Sequence, residues 1–311
     1  MSTELLAIAK LLPKPVAYVL GGGGPRGAVQ LGMLQALAET DLRPDLIIGT
    51  SVGALNGAVL AMDPSTAAGT LAEIWPHIDR QHVFPGGIVL GTIKATRTKS
   101  SFVFDPEPLS DLLAEYIPVE RIEDLVVPYV AMATDLDTGT PVEIDSGDLR
   151  SALLASSAIP VAFPWVERDG RRLVDGGLVA NVPVHQAVMR GAKSVVVLDC
   201  GTFGAEGKWS EGIIGVLVQV LAIASRQQIA MDLHVAQDVP ILYLPVPDSI
   251  PTSVFDFDNT QSLAEEALTL ARGALAAFAS ESVAGAPVAP GIYGDPPNSV
   301  ITADVADFRR A

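Results

Sequence analysis

Apolar residues near the start of the chain fall into short unbroken runs. Val16-Ala17-Tyr18-Val19-Leu20 lies between Pro15 and Gly21, and Leu46-Ile47-Ile48 leads into Gly49. Runs this short, bounded by turn residues, predict strands buried on both faces. Each is followed by a longer apolar stretch. Ala28 to Glu39 is interrupted only by Gln30 and Gln35, and Ala54 to Met62 is stopped by Asp63-Pro64. Both predict helices buried nearly all round. Strand, turn and helix, twice over, predict a parallel sheet whose functional turns sit at the carboxyl ends of its strands.

Further along, residues 66–75 predict a helix. Val126 to Ala133, Val195 to Asp199 and Ile241 to Val246 predict strands, and Leu263 to Phe278 a late helix. Residues 76–108 read as irregular, broken by Pro76, Pro85-Gly86-Gly87 and Pro106, with scattered Phe84, Ile88, Phe102 and Phe104. A stretch this long without regular structure suits a lid or acyl channel, or an insertion packed on the core. The organisation expected is an arm over 1–14, one domain over 15–281, and an Ala-, Pro- and Gly-rich tail over 282–311. No internal repeat is visible.

Composition narrows the function classes. Hydrophobic residues make up 49% of 311, enough for a large core. Lys plus Arg number 20 against 36 Asp plus Glu, a net charge of −16. Such a surface disfavours nucleic acid and anionic membranes by bulk attraction, so transient contact with a membrane surface would be apolar and local. The single cysteine, Cys200, excludes an intrachain disulfide and a cysteine-based zinc cluster. The start, Met-Ser-Thr-Glu, lacks the basic flank and cleavage site of a secretory signal. The most apolar stretch, Ile213 to Ala224, is 12 residues long against the roughly 20 that a spanning helix needs. It reads as a buried helix, with contact to lipid or a partner subunit as the other reading. The expectation is a soluble, cytoplasmic protein, peripheral contact with membranes and export by other routes being left open. Nothing bears on oligomeric state.

Two turns carry candidate chemistry. The first is Gly21-Gly22-Gly23-Gly24-Pro25-Arg26-Gly27, after a strand and before a helix. Its bare N–H groups could cradle an oxyanion. Gly22, Gly24 and Gly27 also fit a dinucleotide fingerprint with Asp45 as its acid, although Pro25 supplies no N–H. The second is Gly49-Thr50-Ser51-Val52-Gly53. A serine at a sharp strand-to-helix bend needs small residues two before and two after it, where the backbones approach. Ser51 would also face the amides of a helix N-terminus, unless it merely caps that helix. Together the turns predict a serine hydrolase. None of His77, His82, His185 and His234 sits in a motif. Asp175, followed by Gly176 and Gly177, is the better base, or else a simple Asp-Gly turn. Three alternatives stand beside this reading: a histidine-containing triad in an α/β-hydrolase using His185 or His234, a nucleotide-binding oxidoreductase, and a lipid-binding protein without catalysis.

Taken together, the motifs resemble the patatin-like phospholipase family in its bacterial form. The resemblance rests on the glycine loop, on Gly49 to Gly53, and on Ala133-Thr134-Asp135-Leu136. It continues through Ala155-Ser156-Ser157-Ala158-Ile159-Pro160 with Phe163-Pro164 and Asp175-Gly176-Gly177, all in the family's order, with a weaker echo at Phe255-Asp256-Phe257. It implies a three-layer α/β/α fold with a mostly parallel central sheet. It implies a catalytic dyad, with Ser51 as nucleophile and Asp175 as base, and an oxyanion hole made by the amides of Gly23, Gly24 and Arg26. Gly22, Gly27, Gly49, Gly53, Gly176 and Gly177 are the supporting positions. The activity implied is hydrolysis of lipid acyl esters (phospholipase A, lysophospholipase or carboxylesterase type), with no metal and no organic cofactor.

Overall fold

The computed structural model describes residues 5–85, 102–201, 213–248, 256–281, 286–294 and 296. Among them nine strands form one sheet: β1 (Val16–Leu20), β2 (Leu46–Thr50), β3 (Tyr129–Asp135), β4 (Pro141–Ile144), β5 (Val166–Arg168), β6 (Arg171–Asp175), β7 (Ser194–Leu198), β8 (Pro240–Tyr243) and β9 (Gly291–Gly294). The run β3-β2-β1-β7-β8-β9 is parallel throughout. β4, β5 and β6 add antiparallel pairings at one side. The mostly parallel three-layer α/β/α arrangement expected from the sequence is therefore present.

The helices are α1 (Ala28–Ala38), α2 (Val52–Met62), α3 (Ala67–Ile74), α4 (Arg80–Val83), α5 (Glu107–Tyr116), α6 (Leu149–Ser156), α7 (Val184–Met189), α8 (Ile213–Val235) and α9 (Thr260–Glu281). Side chains alternate across the strands, so each face of the sheet feeds its own core. Val16, Tyr18 and Leu20 of β1 join Val196 and Leu198 of β7 under α1, α2 and α9. Ala17 and Val19, with Val195 and Val197, pack instead on α7 and α8. Both faces are covered, which is why these strands read as unbroken apolar runs.

Several elements differ from the sequence reading. Arg80–Val83 form a single helical turn inside the stretch read as irregular, and the helix over 107–116 starts at its end; Pro106 and Pro108 occupy the start of that helix, where a missing N–H costs nothing. Ile88 of that stretch lies outside the described residues. The apolar segment from Ile213 is the first half of a helix of 23 residues, and it is not wholly buried. α8 lies on the sheet through Ile229 and Leu233, and exposes Val216, Val220, Ile223, Met231 and Val235. Within the stretch read as a tail, β9 pairs in parallel with β8. No described helix is long and apolar enough to cross a membrane.

The register of β3 brings two distant turns together. Ala131 pairs with Gly49 on one side and Ile144 on the other, while Ala133 pairs with Val142 and with Asp175. β4 occupies one edge of β3 along both positions. β2 and β6 must therefore share the opposite edge, end to end. β2 closes at Thr50 opposite Met132, and β6 closes at Asp175 opposite Ala133. Two strands of opposite direction thus deliver their carboxyl ends to the same point.

Candidate active site

Ser51 follows β2 immediately and precedes α2. Its backbone sits at φ 54 and ψ −127, a strained conformation for a residue with a side chain. Such strain costs about 1–3 kcal/mol and persists only where the surroundings enforce it. Three contacts enforce it here. The Ser51 N–H donates to Ser156 Oγ at 2.9 Å. The neighbouring Thr50 Oγ1 donates to Ala180 O at 2.7 Å. Gly53 presses against β1: a Cβ there would lie 2.3 Å from Leu20 O and 2.5 Å from Gly21 O. Gly49 packs similarly on Gly53 and Ala54. Gly53→Ala should therefore destabilise the fold by about 3 kcal/mol, because backbone and not a flexible side chain must move. A denaturant titration of the two proteins measures this.

Asp175 caps the turn that follows β6. Its Oδ1 accepts from the Gly177 N–H at 2.7 Å, and the Ser51 hydroxyl lies near enough to favour its ionised form. Its own N–H goes to Ala158 O at 3.0 Å, and Thr134 Oγ1 holds its carbonyl at 2.8 Å. Gly176 lies against Met132 O, so the turn is pinned to β3. Ser51 and Asp175 are 8% and 7% exposed. Burial pushes the Asp175 carboxyl up to about 6, against the smaller opposing effects of the Gly177 N–H and the Ser51 hydroxyl.

The glycine loop arches over this pair. A Cβ on Gly22 would fall 3.1 Å from Ser51 Cβ and 2.7 Å from Asn181 Oδ1. Among the described residues, neither the Gly23 nor the Gly24 N–H meets an acceptor. The Arg26 N–H instead closes a turn onto Gly23 O at 3.3 Å. Gly27 packs on Val52 and Trp75. The Arg26 side chain is 2% exposed, with Nε 3.4 Å from Gly23 O. Burial lowers its pKa to about 10, while Cys200 and Asp199 favour its charge. It underpins the loop from below.

A cleft of about 820 Å³, mouth included, starts at Ser51 and Gly24. Val52, Leu55 and Val59 of α2 line one wall at helical spacing, and Leu109, Leu113 and Tyr116 of α5 line another. Phe84 and Phe163 close part of it in a stacked pair 5.6 Å apart, with Phe104 packed behind. Among the described residues no histidine lines the cleft. His82 pairs with Asp79, and His185 faces Asp232. Asp45 accepts from the Val16 N–H at 2.8 Å, at the start of β1 and so at the opposite end of the sheet from the glycine loop. That position removes the acid from the dinucleotide reading.

Residues 18–188 match the family described as patatin-like phospholipase. The chain belongs to this family. The mouse patatin-like phospholipase domain-containing protein 7 is 32% identical over 204 residues, covering 64% of this chain and 15% of its own length. Lysophospholipase NTE1 of Kluyveromyces lactis is 29% identical over 203 residues, covering 65% and 14%. The chain thus spans about one seventh of the length of these relatives. VipD from Legionella pneumophila superposes with a TM-score of 0.46 at 16% identity, over 86% of this chain and 67% of that one. The patatin-like stretch runs from β1 into α7 and contains every residue placed above at Ser51, at Asp175 and in the glycine loop.

Four polar residues of the site were not singled out as functional in the sequence. Ser156 holds the Ser51 amide, and its only signal was a motif without an assigned role. Asn181 donates from Nδ2 to Gly22 O at 3.5 Å and accepts the Gly22 N–H through its carbonyl at 3.2 Å. Gln30 and Asn56 lie inside apolar helices, where a lone polar residue marks a buried partner far away in sequence.

Proposed function

We propose that this protein is a serine-dependent acyl hydrolase acting on lipid esters. The observation that carries this reading is Ser51, on a strained elbow in the wall of an apolar cleft, next to the buried Asp175 carboxyl. In the first half-reaction Asp175 takes the Ser51 proton as Oγ attacks the ester carbonyl carbon. The oxyanion forms against the Gly23 and Gly24 N–H groups. Losing one such donor typically costs about 2.7–4 kcal/mol of transition-state stabilisation. The C–O bond to the alcohol then breaks, and Asp175 returns the proton to the departing oxygen. In the second half-reaction water gives its proton to Asp175 and attacks the acyl-enzyme. Fatty acid leaves and Ser51 is reprotonated. No step calls for a metal or organic cofactor.

The cleft sets the substrate class. Its walls are aliphatic and aromatic, suited to an acyl chain and not to a polar acid. The names of the mouse and Kluyveromyces relatives, a patatin-like phospholipase and a lysophospholipase, are consistent with phospholipid or lysophospholipid esters. With a net charge of −16, contact with a lipid surface falls to apolar side chains such as Val216 and Val220 of α8.

A series of p-nitrophenyl esters of increasing acyl length, run beside phosphatidylcholine and lysophosphatidylcholine, tests the reading. Each buried methylene contributes up to about 0.8 kcal/mol, so kcat/KM should climb from acetate to medium chains and level off when the cleft is full. Preference for acetate, or binding of long-chain lipid with no hydrolysis of any ester, would contradict it.

A further inference from the structure

A loop of four glycines has no side chains with which to hold its own shape, and glycine loses more backbone freedom on ordering than any other residue. An oxyanion hole nevertheless needs its donors fixed before the charge develops. The structure offers a clamp for this purpose at both ends of the loop. Gln30 of α1 is fully buried, and its Nε2 donates to Gly21 O at 2.8 Å and to Leu198 O at 2.9 Å. Asn56 of α2 is 3% exposed, and its Nδ2 donates to Gly27 O at 3.0 Å and to Gln30 Oε1 at 2.8 Å. Trp75 Nε1 donates in turn to Asn56 Oδ1 at 3.3 Å.

We propose that Gln30 and Asn56 act as one positioning unit for the oxyanion loop. The proposal rests on the acyl-hydrolase reading and assigns a role within it. The two amides are joined to each other, and one grips the carbonyl that opens the loop while the other grips the carbonyl that closes it. A trans peptide points its C=O and N–H in opposite directions. Holding Gly21 O on the Gln30 side therefore turns the Gly22 N–H the other way, to Asn181 O. Gly23 and Gly24, the proposed donors, follow within this fixed frame.

The network is also closed: both N–H groups of each amide have acceptors, and both amide oxygens are used. A closed buried network defines one geometry; with a member missing, several loop shapes compete. Trp75 and Asn56 also line the cleft, so the clamp extends from the loop to the wall beside the acyl chain. Neither Gln30 nor Asn56 touches the reacting atoms, so each acts through the loop.

The test compares Gln30→Met, Asn56→Leu and the double variant with wild type, using a medium-chain p-nitrophenyl ester and counting active sites by burst titration. The expected result is a fall of about 10–100-fold in kcat per titrated site with KM within about threefold, since the interaction serves only the transition state. The double variant should lose about as much as either single one, as expected of a unit. The pH midpoint of kcat/KM, set by Asp175, should not move. A merely structural role would lower the melting temperature and leave kcat per titrated site at the wild-type value, which would overturn the proposal; so would a loss confined to KM. Should Gln30→Met not fold, Asn56→Ser, which keeps one donor in the same polar surroundings, makes the comparison. Ser51→Ala is run in parallel. If it keeps wild-type turnover, the hydrolase reading itself is wrong; if it is inactive while Gln30→Met is fully active, only the clamp fails.

Discussion

Ser51→Ala is expected to lower turnover of every ester the wild type hydrolyses by about 10⁵-fold, with the fold unchanged. The substitution removes one oxygen and keeps Cβ, so the contact of Gly22 with Ser51 Cβ survives. The Ser51 N–H bond to Ser156 also survives, because it belongs to the backbone. The strained backbone at φ 54 remains strained with alanine, so stability should hardly change. Ser51→Gly separates the two effects. It should be equally inactive and more stable by about 1–3 kcal/mol, because glycine accepts this conformation freely. Ester turnover and thermal unfolding of the three proteins check both statements. A Ser51→Ala protein with even a tenth of wild-type kcat would exclude Ser51 as nucleophile.

Asp175→Asn is expected to lower kcat by about 10³–10⁴-fold, since among the described residues no carboxylate or histidine lines the cleft at Ser51 to replace it. Asparagine keeps an oxygen for the Gly177 N–H, so the turn should survive. The pH dependence follows from the same group. As the proposed base, Asp175 would act only when ionised, and burial holds its carboxyl at about 6. In wild type kcat/KM should therefore fall as pH drops through about 6 and be flat above 7. Stability has the opposite sign. Between the ordinary carboxyl value near 3.8 and about 6 the native state keeps a proton that the unfolded chain has lost, so stability decreases as pH rises through that window. The cost amounts to about 3 kcal/mol at most above pH 6. Asp175→Asn carries no such cost and should be the more stable protein at pH 7 while being the less active one. A carboxylate held out of water to serve as a base would exchange stability for basicity in this way.

The parts of the fold with both faces covered were readable from composition alone. β1, α1, β2 and α2 are apolar at almost every position because nothing but other apolar side chains surrounds them. The edge elements were not readable. β6 begins with Arg171 and Arg172, both exposed, and only Leu173 to Asp175 are buried, so a strand register looked like a turn. β4 buries one residue of four, and β9 is two glycines around Ile292 and Tyr293. In the site, Ser51, Asp175 and the glycine loop were visible because small flanking residues report close backbone approach. What could not be read was the meeting of the two turns. That depends on β2 and β6 sharing one edge of β3, a long-range pairing with no local signature. The same holds for Gln30 and Asn56, whose partners lie on other elements.

The proposed nucleophile is Ser51, activated by Asp175. The most direct test of this role is peptide mass mapping after brief exposure to a fluorophosphonate at pH 7.5. Wild type should give a single phosphonyl adduct on Ser51, and Asp175→Asn a much slower adduct on the same residue. An adduct on a different residue, or ester hydrolysis that continues with Ser51 fully labelled, would contradict it.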